Sequence, residues 1–562
     1  MTSGPASARE RVALVADADS FEEWDADVAS DDPLSFRDTR SYADRLDEAR
    51  AATGLSEAVL TGRATLDGRP LVVVAGEFGF LGGSIGVATA ERVARAFERA
   101  LEARLPLVAL TASGGSRMQE GTLAVVGMAK LADAAGRLRA AGLPYVVCLT
   151  HPTLGGVLAS WGSLGTVTFA LPGALAGFAG PRVVELLTGR PLSPRVQRSE
   201  TLLAHGLVDG IVAPDALRSR VAAVLAVAAP RSAPAAASPG AIAADREWEG
   251  APSPARPAPA VRGSADSPAA LAPADAAGSL PLDAHPTAVA PTDPAGAERR
   301  DAWASLQHVR DRRRPGAGAV LDALAEDVTV LRGARDGHPD DPACFAALAR
   351  VVGVPAVVVA QRRRGDGAPA VMNPSGYRKA RRAMALAAEL RLPLVTIVDT
   401  PGAELSADAE RGGLAGQIAG CLADMAALPV PTVAVLLGEG GSGGALALLL
   451  ADRVLAAEHA SLGVIAPEGA SAILYRDLDH AAELAAAQGG ASWHLVAAGI
   501  ADAVIPESRP AHEEPEAFVH HVGAALSAAL AATIAADPST RLAGRHRRWR
   551  SIGAAQPPTP QK

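Results

Sequence analysis

Two glycine-rich segments carry the residues whose types and spacing could do chemistry. One is Gly438–Gly444, reading Gly-Glu-Gly-Gly-Ser-Gly-Gly; the other is Gly155-Gly156. Three chemistries compete for the longer one. Gly438-x-Gly440-x-x-Gly443 fits a dinucleotide fingerprint, with Glu458 twenty residues after Gly438 as the ribose acid. Gly440-x-Ser442-x-Gly444 fits a hydrolase elbow, with Ser442 as nucleophile and Asp477 and His494 downstream. The plainest match is Gly-Gly at a helix start, whose backbone N–H groups would face an anionic oxygen. The shorter segment, Pro152-Thr-Leu-Gly155-Gly156, keeps only the Gly-Gly. What the two segments share is the Gly-Gly amide pair, so Gly155, Gly156, Gly443 and Gly444 are the groups expected to face an anion. The alternative is that these glycines only allow helix and strand to approach closely.

Further glycine loops close other strands: Ser113-Gly114-Gly115-Ser-Arg117, Asp399-Thr-Pro401-Gly402, and Phe78–Ser84 with Gly82-Gly83. Ligands on open α/β sheets bind beyond the carboxyl ends of strands, although ordinary turn chemistry explains these residues too. The basic clusters at Arg362–Arg364 and around Arg378-Lys379 and Arg381-Arg382 read as solvated faces when taken singly. His151, His205 and His494 lack metal-ligand spacing, so no metal is expected. The loops shared by both halves hold no general-base candidate.

These loops need elements to hold them, and the elements come twice. Pro106 to Pro144 and Pro393 to Pro431 both span 38 positions, each Pro opening a strand-like run. Gly155-Gly156 and Gly443-Gly444 follow, then Ala204–Val212 and Ala497–Ile505. Four matches in order, at offsets of 287 to 293, mark two copies of one domain. Amphipathic helices are expected at Ala90–Leu105, Thr122–Ala141, Tyr377–Leu392 and Leu414–Leu428, with small-residue helices at Val157–Thr168 and Ala445–Ala451. Alternation with short apolar runs predicts largely parallel sheets covered on both faces. The copies are expected over 30–228 and 299–545, joined by an Ala/Pro-rich, disordered linker over 229–298.

Composition excludes several classes. The chain has 562 residues, a net charge of −8 and 3% aromatics, which argues against phosphate neutralisation and base stacking. Three scattered cysteines, Cys148, Cys344 and Cys421, rule out a disulfide framework and a four-Cys zinc ribbon, and suit a cytoplasmic protein. Met1–Val15 is too polar for a signal peptide, and no run of 18 apolar residues predicts a membrane span.

The motifs together resemble the carboxyltransferase of biotin-dependent acetyl-CoA carboxylase, with β-like and α-like subunits fused in tandem. The β-like resemblance rests on Gly82–Gly86, Ala112–Glu120, Pro152–Gly156, Gly177–Arg182 and Gln197–Glu200. The α-like one rests on Gly376–Lys379, Asp399–Ala403, Glu410–Gly412, Gly438–Leu446 and Ile465–Gly469. The resemblance implies two crotonase-like spiral domains, the β-like one holding acyl-CoA and the α-like one facing carboxybiotin. It makes Gly155-Gly156 one backbone oxyanion hole and Gly443-Gly444 the other. It assigns Gly82, Gly83, Ser113, Gly114, Gly115, Arg117, Pro401 and Gly402 to cofactor and substrate binding. A biotin carboxylase and a biotin carboxyl carrier protein are implied partners, since no Ala-Met-Lys-Met biotin site is present.

The chain departs from the family's pattern by lacking the zinc ribbon, by carrying His151 before Pro152, and by Glu404-Leu-Ser406 after Ala403. The last loop bears on biotin entry or acyl choice. The reaction expected is formation of malonyl-CoA from acetyl-CoA or another short acyl-CoA. A malonyl-thioester decarboxylase of the same superfamily and a serine hydrolase using Ser442 are the alternatives. The site is expected between β-like and α-like halves of different chains in a homo-oligomer.

Overall fold

A hairpin opens each half, where the sequence pattern predicts parallel strands. Leu66-Asp67-Gly68-Arg69 turns with positive φ at Asp67 and Gly68, and Val352-Gly353 does the same. The computed structural model describes residues 6–228, 301–362 and 371–553. The linker expected over 229–298 lies outside the described residues, as do Arg363 and Arg364.

The first half contains β1 (Glu22–Trp24), β2 (Val59–Leu66), β3 (Arg69–Gly76), β4 (Leu107–Ser113), β5 (Tyr145–Leu154), β6 (Val167–Ala170), β7 (Ala176–Gly177) and β8 (Gly210–Ile211). The second contains β9 (Ala325–Val330), β10 (Cys344–Val351), β11 (Val354–Gln361), β12 (Leu394–Thr400), β13 (Thr432–Gly441), β14 (Arg453–Ala457), β15 (Ser461–Gly463) and β16 (Ala503–Ile505). The orders are β1-β2-β3-β4-β5-β6-β8, with β7 on β5, and β16-β14-β13-β12-β11-β10-β9, with β15 on β13. The sheets are thus two mixed copies of one topology, antiparallel at the hairpin edge and parallel from β3 and β11 onward. The chain folds as two tandem α/β domains.

Strands at the centre are apolar on both faces because both faces are covered. Val72 and Val74 point into the main core, while Leu71, Val73 and Ala75 point into a second cluster under helices Ala8–Ala13 and Pro214–Ala228. The fold therefore extends before residue 30. The main cluster is continuous through both halves, which together make one compact unit. Helices Gly121–Ala140 and Leu414–Ala427, equivalent by the repeat, pack on each other across the boundary. The helix expected over Val157–Thr168 does not form. Gly162 and Gly165 interrupt it, Ser160 Oγ takes the Gly156 carbonyl, and the segment runs as turns into β6. Its counterpart is the short helix Ser442–Leu446.

Helix Pro515–Ala535 is long and apolar enough to cross a membrane by length and composition alone. Here Phe518, Val522, Leu526 and Leu530 bury one face of it against β13 and β14. The last helix, Pro538–Ser551, runs past residue 545 and returns to the first half, where Arg550 meets Glu91 and Glu98 at 2.6 Å.

Candidate active site

The glycine loops are built at the ends of paired strands by the same local chemistry. Ser113, closing β4, accepts from Gly115 N through Oγ at 3.0 Å. Thr400, closing β12, donates Oγ1 to Gly402 O at 2.7 Å. Gly115 and Gly402 both take φ values open mainly to glycine, +126° and +153°. β5 and β13 run past these loops after matching irregularities, Ser113 lying opposite Thr153 and Thr400 opposite Gly440. That register holds the offset between halves at 287, and it moves one correspondence. Gly155 (φ +59°) is equivalent to Ser442 (φ +55°), and Gly156 to Gly443. Pairing Gly155-Gly156 with Gly443-Gly444 is therefore one residue out of step. Ser442 keeps a left-handed conformation that costs a non-glycine residue of order 1 kcal/mol.

A cavity of about 320 Å³ lies between the two sets of loops. Gly114, Gly115, Gly155 and Gly156 wall it from the first half, and Pro401, Gly402 and Ser442 from the second. Both walls of this cavity are drawn from the one chain described. Gly155 N–H is committed to Gly177 O at 3.1 Å. Gly156 and Gly443 back onto one side chain: a Cβ at Gly156 would lie 3.2 Å from Met128 Sδ, and one at Gly443 2.9 Å from Met128 Cε. Gly443 and Gly444 sit just behind the wall. Gly444 O accepts from Gln361 Nε2 (2.9 Å) and Tyr377 Oη (3.1 Å), and a Cβ there would meet Gly402 C at 2.9 Å.

Among the described residues lining the cavity there is no Asp, Glu, His, Lys, Arg, Tyr or Cys. Apart from Ser116, the rest of the lining is mostly apolar, including Phe178, Val183, Leu187, Leu405 and Ile473, so the loops' backbone dipoles act against a low-dielectric wall. The hydrolase constellation is not assembled. Asp477 holds His480 at 2.9 Å and Ser471 at 3.1 Å, and neither Asp477 nor His494 lines the cavity with Ser442.

The sequence comparisons fit this doubled architecture. Residues 2–247 match the carboxyl transferase domain model, and residues 297–553 match the acetyl co-enzyme A carboxylase carboxyltransferase-like model. The probable biotin-dependent acyl-coenzyme A carboxylase beta3 subunit of Mycobacterium tuberculosis (strain ATCC 25618 / H37Rv) is 45% identical over 539 residues, covering 96% of this chain and 97% of its own. The chain belongs to the carboxyltransferases of biotin-dependent acyl-CoA carboxylases. The acetyl-coenzyme A carboxylase carboxyl transferase subunits beta/alpha of Parafrankia sp. (strain EAN1pec) are 42% identical over 98% of this chain and 86% of theirs. Among solved structures, the transcarboxylase 12S core aligns over 93% of this chain and 89% of its own at 22% identity, with a TM-score of 0.34, too weak a likeness to bear on the fold.

Several residues expected at the carboxyltransferase site stand behind it. Gly82 O accepts from Gly114 N at 2.7 Å, and Gly83 packs so close to Ala112 O that a Cβ would lie 2.3 Å away. Arg117 does not reach the cavity. Its enclosed guanidinium bonds Glu57 (2.6 Å), Glu120 (3.2 Å), Ser30 and Ser84, and so fixes the loop from below. Burial alone would raise the pKa of Glu57, but Arg117 holds it down to about 2. Of the basic residues in the Arg378–Arg382 cluster only Lys379 is buried, bonding Asp340; the partly exposed Arg381 bonds Asp424, and the half-buried Arg378 and Arg382 hold backbone carbonyls. Cys148, Cys344 and Cys421 are buried free thiols, and burial pushes Cys148 and Cys344 up to about 12. Among the described residues no group of three His, Cys, Asp or Glu is placed to hold a metal. A smaller cavity of about 40 Å³ behind Glu439–Gly441, beside Ser305 and His459, is too small for a coenzyme.

Residue types alone did not reveal Met128, which both glycine loops share. Leu405 lines the cavity from within the departing Glu404-Leu-Ser406 segment, so that departure in sequence was the one available signal. Glu410 and Thr122, which reach across from one half to the other, carried no signal beyond Glu410's place in the Glu410–Gly412 motif and Thr122's place at the start of an expected helix.

Proposed function

We propose that this carboxyltransferase moves a carboxyl group from carboxybiotin, borne on a separate carrier protein, to acetyl-CoA or another short acyl-CoA, forming malonyl-CoA or its homologue. The observation that carries this reading is a cavity walled by equivalent backbone loops from both halves, with no titratable side chain on its lining. Such a site suits a reaction that needs two oxyanions stabilised and no side-chain base. Carboxybiotin, when bound, supplies the carboxyl group and then the base for the acyl α-proton.

The chain's own part is positional. The Gly155-Gly156 turn presents the Gly156 amide to one developing oxyanion, and the Ser442–Gly444 turn serves the other. The mostly apolar lining disfavours water beside the activated carboxyl group, and Leu405, on the second half's loop, bears on acyl choice. In this reading a biotin carboxylase and a biotinylated carrier are partners, the chain assembles as a homo-oligomer, and the work is cytoplasmic.

The test is the reverse half-reaction: purified protein, malonyl-CoA and biocytin, following acetyl-CoA release, with methylmalonyl-CoA in parallel. Biotin-dependent release is expected, and the ratio of the two substrates ranks the acyl groups. Release without biotin would replace this reading with the decarboxylase.

A further inference from the structure

Resting on the carboxyltransferase reading, we propose that Glu410 is a positioning residue that sets one catalytic glycine turn from the opposite half of the molecule. Glu410 lies on the short helix Ala407–Arg411, a few residues after the Pro401–Ala403 wall of the cavity. Its carboxylate crosses the boundary. Phe178 N donates to its two oxygens at 2.9 and 3.0 Å, Ala179 N at 3.4 Å, and Gln197 Nε2 at 2.6 Å. All are neutral donors, and Gln197 also ties down Ala179 O at 2.7 Å.

The gripped strip is part of the site. Phe178, Ala179 and Gly180 line the cavity, and the preceding Gly177 holds Gly155 N–H through its carbonyl. Moving the strip would move Gly155 and with it the Gly156 amide. A buried carboxylate without a cationic partner is costly, and an apolar contact would join the halves as well. What the carboxylate adds is direction, since it fixes three donors at once.

The repeat supplies a reciprocal contact. Thr122, at the start of helix Gly121–Ala140, donates Oγ1 to Leu462 O at 2.6 Å, and its N–H meets Gln488 O at 3.0 Å. Leu462 is in β15, opposite Gly440. Each half thus reaches, from just beyond its own strand-end loop, to the short strand segment that braces the other half's glycine turn. This arrangement separates Glu410 from an ordinary interface residue.

The experiment compares full-length wild type, Glu410→Gln and Glu410→Asp in the biocytin half-reaction, alongside amide hydrogen exchange. Gln keeps the size but turns an NH2 toward N–H donors. We expect kcat to fall about ten- to a hundredfold, the scale of a displaced catalytic group, with KM for malonyl-CoA within about threefold. Exchange should quicken at residues 154–160 and 176–180 and stay unchanged in helix Pro515–Ala535. Asp should restore part of kcat. Full kcat in Glu410→Gln, or faster exchange throughout the chain, would overturn the proposal. If wild type itself shows no biotin-dependent release, the function fails separately. Exchange then decides the positioning role: local quickening upholds it, and an unchanged strip overturns it.

Discussion

Gly156 and Gly443 differ in what a methyl group would strike. At Gly156 a Cβ would lie 2.6 Å from Ser116 Oγ and 3.2 Å from Met128 Sδ, in the loop that forms the cavity wall. At Gly443 the nearest atom, 2.9 Å away, is the free end of Met128, which can swing aside. Gly156→Ala should therefore cost more turnover than Gly443→Ala. The first is expected to lose about a hundredfold in kcat, the scale of one oxyanion donor, and the second clearly less. Steady-state kinetics with melting curves check the order; equal losses, or losses that follow unfolding, would count against the amide assignment. At this scale the sequence carried much of the site. Gly-Gly repeated in both halves identified the turns, because backbone chemistry leaves a glycine signature. It placed the second turn one residue late, because Ser442 adopts by strain the conformation that Gly155 adopts freely.

The elements under these turns are fixed by buried charge as well as by apolar packing. Arg117, Glu57 and Glu120 are fully enclosed beneath the loop that ends β4, so Arg117→Met would strand two carboxylates. The expected cost is about 3–5 kcal/mol at about pH 7, read by urea unfolding. The pH dependence has a definite sign. Glu57 is depressed from 4.5 to about 2, so the stability it contributes is complete above 4.5 and is lost as pH falls toward 2. In the variant Glu57 has no such partner. The gap between wild type and variant should therefore narrow through that window, and a constant gap would refute the linkage. Arg117 was assigned to binding by the family resemblance of its loop, and no local pattern tells a buried arginine from one facing solvent. The hairpins were legible in principle: Asp67-Gly68 is a turn signal between β-rich runs, eclipsed by the parallel pattern that follows. The small-residue stretch after Gly156 reads as helix on propensity, but Gly162 and Gly165 break it.

Across the whole molecule, the doubling was readable from spacing alone, since a fixed offset survives substitution. Contacts between the copies were not, because Glu410 and Phe178 are 232 positions apart and no periodicity links them. The same holds for the strap made by helix Pro538–Ser551, whose Arg550 joins Glu91 and Glu98 of the first half. Arg550→Ala should lower stability by about 1–3 kcal/mol, the range for charge-assisted bonds at a partly covered site. A double-mutant cycle with Glu91→Ala would show the coupling, and strict additivity would remove the strap from the account. Finally, both walls of the cavity come from a single polypeptide. Synthesis therefore delivers them in a fixed one-to-one ratio, and neither can be in excess.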